Sequence, residues 1–88
     1  MKLTEYADVI RQELEIHYYP SGLWTARFKG GEVKDGPILI SEYGRGNTPQ
    51  HALDNYISHI RGTVLVFNAT GGADRREYSV PASLEKEE

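Results

Sequence analysis

The sequence predicts an α+β domain: an antiparallel sheet of about five strands, one main helix packed on one face, and a short N-terminal helix. Three observations predict it. Two stretches of period-two alternation flank a Pro/Gly turn between Leu14 and Lys29. A helical apolar stripe with start and stop signals runs from Thr48 to Arg61. A continuous apolar run, Thr63 to Ala69, follows as a central strand would.

Thr4 to Glu13 reads as a short helix, with Thr4 as its cap, Glu5 and Asp8 in the first turn, and Tyr6, Val9 and Ile10 on one side. The same stretch is also compatible with a frayed arm. In Leu14–Tyr19, Leu14, Ile16 and Tyr18 alternate with Glu15, His17 and Tyr19, as in a half-buried strand. Pro20-Ser21-Gly22 makes a turn. Leu23 to Lys29 alternates again, Trp24, Ala26 and Phe28 opposing Thr25, Arg27 and Lys29, so the pair forms a hairpin. After Gly30-Gly31, Glu32 to Asp35 either extends the second strand or opens a third. Pro37 to Tyr43 is the third strand, with Pro37 at its start where a missing donor is tolerated.

Thr48 is a cap-type residue and Pro49 occupies the first helical position, where its absent N–H is harmless. Ala52, Leu53, Tyr56, Ile57 and Ile60 form the stripe, and Gly62 ends the helix. Thr70 to Arg75 is a turn or mobile loop, Arg76 to Val80 a last strand, and Pro81 stops it. Residues 1–84 form a single domain and 85–88 a charged C-terminal tail. The expected core is Trp24, Phe28, Ile40, Val64, Val66, Leu53, Tyr56 and Ile57.

A chain of 88 residues is one domain, burying only about 60–65% of its unfolded surface. It has no cysteine, which removes disulfides and thiolate zinc sites and fits a reducing cytosol. His51 and His59 stand just over two helical turns apart, too far to share an ion, so no metal or other cofactor is expected. No leader is visible and no apolar run approaches a bilayer span, which points to a cytoplasmic protein off the membrane. The net charge is −3, and without the last four residues ten acids face nine bases. A nearly neutral body does not suit duplex DNA, whose binding needs a basic face. The open edges of a small sheet favour a homo-oligomer, most simply a dimer.

The main binding candidate is Tyr43-Gly44-Arg45-Gly46-Asn47-Thr48. Two glycines permit close backbone approach, a helix start supplies outward N–H groups, and Arg45 adds a forked cation suited to phosphate or carboxylate. Arg75 and Arg76, with Arg27, are candidates to converge on the same anion, while Tyr19 and Tyr43 are candidates to stack on a base. The bland alternatives are a strand-to-helix connection, ordinary surface charge and ring cover for a sheet face. Neither a dinucleotide fingerprint nor a P-loop occurs, and no catalytic constellation stands out, so the chain is read as a non-enzyme.

Gly22, Trp24, Ala26 and Phe28, followed by Gly46, Thr48, Ala52, Leu53 and Ile57, make the stretch Leu14–Ile60 similar to the HicB-like antitoxin domain, a partial RNase H-like β-β-β-α-β unit. That resemblance implies a protein–protein partner, a small ribonuclease toxin neutralised by binding. In size and style the chain also resembles small phage and prophage accessory proteins. That likeness implies inhibition of a host-defence component, or sequestration of a nucleotide-like anion. A purely structural homo-oligomer is the third reading.

Overall fold

A computed structural model describes residues 1–86 of the protein. Its main helix, α2 (Pro49–Ile60), forms for the reasons the sequence supplies. Thr48 Oγ1 accepts the His51 N–H at 3.1 Å, Pro49 takes the first helical position, and Gly62 follows the end with φ +69°. Ala52, Leu53, Tyr56, Ile57 and Ile60 are all buried.

The strands depart from the expected single five-stranded sheet. Among the described residues they form two antiparallel sheets. The first joins β1 (Leu14–Tyr18), β2 (Trp24–Phe28) and β5 (Gly44–Gly46), in that order. The second has β3 (Gly31–Asp35), β4 (Ile38–Ile40), β6 (Val64–Phe67) and β7 (Arg76–Ser79) in the order β4-β3-β6-β7. Two local features cause the split. Gly30, at φ +72°, turns the chain out of the first sheet, so residues 32–35 do not extend β2. The third strand expected over Pro37–Tyr43 is confined to Ile38–Ile40, which pairs with β3, and the chain then returns at Gly44–Gly46, expected as part of a glycine loop, to pair with β2.

The core centres on Phe28, fully buried, whose ring meets those of Tyr6, Tyr56 and Phe67 edge-on at 6.4, 6.1 and 6.0 Å. Such a side chain contributes about 1.5–3 kcal/mol by burial, and edge-to-face contacts add to it. The N-terminal helix α1 (Leu3–Ile10) is integral to this core rather than frayed. It buries Leu3, Tyr6, Ala7 and Ile10, a regular helical stripe, and leaves Val9 outside at 64% exposure. Its cap is Lys2 instead of Thr4; the Lys2 N–H donates to Glu5 Oε1 at 3.1 Å. Arg11, at φ +56°, ends it short of Glu13.

In β6 the inward face is Leu65 and Phe67. The expected core residue Val64 is half-buried, and Val66 is buried on the opposite face, outside the main cluster. A wholly apolar strand does not announce which face points inward. Trp24 and Ile40 are also only half-buried. Val80 and Leu84 close the core below β7, and Arg61 Nε holds the Leu84 carbonyl at 2.7 Å. The Glu85 N–H then donates to the Met1 carbonyl at 2.8 Å, and Glu85 bridges Lys2 in parallel, so residue 85 of the expected tail is engaged. Residues 87 and 88 of that tail lie outside the described residues.

Helix α2 lies over β2 and β5 and stops short of β1. Strand β1 is therefore exposed on both faces except at Leu14, and Ile16 and Tyr18 are 46% and 53% exposed. No helix among the described residues is long and apolar enough to cross a membrane.

Candidate ligand-binding face

Gly44 and Gly46 are explained by the helix above them. A Cβ on Gly44 would stand 2.0 Å from the Ala52 carbonyl oxygen and 2.4 Å from the Tyr56 nitrogen. One on Gly46 would stand 2.5 Å from the His51 Cβ. Neither glycine has a positive φ, so the requirement is space for α2. The stretch expected as a glycine loop thus contains an edge strand, with Gly44 facing Ala26 and Gly46 facing Trp24.

The backbone groups of this strand are largely committed. The Arg45 N–H points away from β2 and donates to Asn55 Oδ1 of α2 at 2.9 Å. By antiparallel alternation, the N–H groups of Gly44 and Gly46 then point into the β2 ladder. Where β5 runs out, beyond Gly44, the Phe28 N–H donates to the Tyr56 hydroxyl at 3.1 Å. Burial pushes the Tyr56 phenol above its ordinary value, an effect that the Phe28 N–H and nearby Arg27 partly oppose. Thr48 is occupied as the helix cap. The backbone N–H groups of residues 44–46 therefore offer little to a ligand, which leaves recognition mainly to side chains.

Register places those side chains. Residues directly opposite in a sheet point to the same face. Gly44, Gly46, Ala26 and Trp24 face α2, so Arg45, Thr25 and His17 line up on the opposite, open face. Glu15 and Arg27 form the neighbouring row. Tyr43 precedes β5 and joins this face: the Arg45 guanidinium stands 4.9 Å from the centre of its ring and bonds its hydroxyl. Tyr19 closes the far end, its ring edge-on to His17 at 4.6 Å.

Three shallow hollows meet at Arg45. The one on the open sheet face is about 450 Å³ and is lined by Tyr19, Leu23, Thr25, Arg27, Tyr43 and Arg45. A second, beside α2, is lined by Ser41, Glu42, Tyr43, Arg45, Asn55 and His59, and there His59 Nδ1 lies 2.9 Å from Glu42 Oε2. The third includes Gly46, Asn47, Asp54 and Lys86. The described residues contain no group of three or more histidines and carboxylates placed to share a metal ion.

Of the expected candidates, the structure brings Tyr19, Arg27, Tyr43, Arg45, Gly46 and Asn47 around these hollows. Arg75 and Arg76 line none of the three. They stand at the β7 edge of the other sheet, where Arg75 is paired with Glu77 at 2.9 Å and bonds the Ala69 carbonyl. Arg76 bonds the carbonyls of Ala73 and Arg75. Sequence reasoning did not put Thr25, Leu23, Asn55 or the Glu42–His59 pair in the site. Thr25 and Arg27 were legible as one face of an alternating strand; the neighbouring strand that joins them to Arg45 was not. No family model matches the chain, and no curated protein or solved structure is significantly similar to it.

Proposed function

We propose that the protein is a small non-catalytic binding module that holds a phosphate-bearing, nucleotide-like ligand on the open face of its three-stranded sheet. The observation that carries this reading is the hollow in which Arg27 and Arg45 stand beside Tyr19 and Tyr43. Two forked cations suit phosphate oxygens, and flanking rings suit a base. Arg45 is held by its Tyr43 contact and by its own backbone bond to α2, so it meets a ligand partly pre-ordered. Sequestration of such a ligand, the role expected of a phage-type accessory protein, needs nothing beyond this face.

Thermal denaturation against a panel of mono-, di- and cyclic nucleotides, with inorganic phosphate as control, tests the reading. A ligand at a hundred times its Kd stabilises by about 2.7 kcal/mol, which for this size raises Tm by roughly 10–20 °C. Arg45→Ala and Arg27→Ala should each abolish the rise while leaving the unliganded Tm nearly unchanged. A rise that survives both substitutions removes the site from this face.

A second reading, an antitoxin-like partner of a small ribonuclease, is supported by the order β1, β2, β5, α2, which gives three antiparallel strands and a helix across one face. Strand β6, which follows that helix, joins the other sheet. Co-expression with the product of an adjacent gene encoding a basic protein, followed by isolation of a stable complex, would favour this reading.

A further inference from the structure

We infer that β1 is the seam of a two-fold homodimer, pairing antiparallel with β1 of a second copy about Ile16. The inference does not depend on the ligand. Three features of the strand carry it.

The first is its free edge. Among the described residues, strand β1 has a neighbour on one side only. The Lys29 N–H bonds the Glu13 carbonyl and the Tyr19 N–H bonds the Leu23 carbonyl, so odd-numbered residues of this strand face β2. By alternation, the N–H and C=O groups of Leu14, Ile16 and Tyr18 point outward. Antiparallel pairing about Ile16 sets Ile16 against Ile16 and Leu14 against Tyr18 of the second copy, and these positions are the ones whose backbone groups are available.

The second is charge. The same register sets Glu15 against His17 of the second copy, twice by symmetry, at a non-hydrogen-bonded position where opposed side chains are closest. The strand Leu14-Glu15-Ile16-His17-Tyr18 is thus complementary to itself when reversed: apolar meets apolar at alternate positions, and carboxylate meets imidazole between them. A two-fold interface requires this kind of self-match.

The third is the apolar overhang. Ile16 and Tyr18 stand in water on the face that α2 covers elsewhere, and Tyr18 leans on half-buried Trp24 with ring centres 4.8 Å apart. No proline or lysine within β1 guards the edge, whereas β4 is preceded by Pro37 and β7 is flanked by charged groups. Pairing would merge two three-stranded sheets into one of six. The two Arg27–Arg45 hollows would then share one continuous face, with their β5 strands roughly 24 Å apart, five strand spacings.

Sedimentation velocity of the full chain without ligand, from micromolar to submillimolar concentration, tests this. The wild type should sediment at twice the chain mass. Ile16→Pro removes only an outward N–H, which an edge strand tolerates, and should give a folded monomer by circular dichroism. His17→Glu places like charges opposite each other twice and should weaken the dimer about tenfold or more. The exchanged double variant, Glu15→His with His17→Glu, should restore it. A wild type monomeric throughout, a His17→Glu variant as dimeric as wild type, or an exchanged variant that stays monomeric would each overturn the inference.

Discussion

Replacing Gly44 by alanine adds one methyl group where β5 meets α2. The new Cβ would lie 2.0 Å from the Ala52 carbonyl oxygen and 2.6 Å from the Tyr56 Cβ, whereas ordinary contact begins at 3.4 Å. The obstructing atoms include backbone, so relief requires the helix to retreat by more than an ångström. That retreat draws the Tyr56 hydroxyl away from the Phe28 N–H, now 3.1 Å from it. Overpacking costs about 1–3 kcal/mol and an orphaned buried N–H a further 1–3. Their sum, roughly 2–6 kcal/mol, is a large part of the approximately 4–13 kcal/mol that holds a domain of this length together. The expected result is a Tm lower by at least about 8 °C, read by circular dichroism. Gly30→Ala is the comparison: its Cβ meets nothing within 4 Å, and only the left-handed backbone penalty of about 1–2 kcal/mol applies. If Gly44→Ala melts within a few degrees of wild type, or no lower than Gly30→Ala, the close seating of α2 on β5 is wrong.

Tyr56→Phe keeps the ring but leaves the Phe28 N–H without its acceptor, and should cost about 1–3 kcal/mol by urea denaturation. Burial raises the phenol of Tyr56, and burial, with a smaller contribution from Tyr78, raises that of Tyr6, so the folded state keeps protons that the unfolded state releases near pH 10.0. Their contribution is complete below that pH and declines as pH climbs above it. The urea midpoint should therefore fall above pH 10, less steeply in Tyr56→Phe; an identical slope in both proteins would contradict the assignment. Leu84→Ala, at a side chain 1% exposed, should lower stability by about 2–4 kcal/mol in the same assay, although it lies far along the chain from the ring cluster.

What could be read from the chain follows from where the information resides. Helix α2 was legible because its cap, first-position proline, stripe and terminal glycine are all local signals. The α+β class followed from it and from the Leu14–Lys29 hairpin. The division into two sheets was not legible, since pairing between residues as distant as Gly31 and Phe67 leaves no local mark. The inward face of β6 was hidden because both of its faces are apolar. Gly44 and Gly46 looked like loop glycines; their cause is a helix packed against them, which local spacing does not display. Arg45 was legible as a candidate and Arg27 as one of three arginines that could converge on it; register brings Arg27 there, while Arg75 and Arg76 went to another sheet.

The chain visits its two sheets in turn: β1 and β2 in the first, β3 and β4 in the second, β5 and α2 back on the first, β6 and β7 on the second. Neither sheet is a continuous piece of sequence, so neither can be excised or completed by itself. Assembly must wait for distant segments to meet, which slows it relative to a helical bundle of equal length. The same weave makes loss of one layer loss of the other, and the whole domain should come apart in a single step, with amide exchange in β2 and β6 sharing one opening free energy.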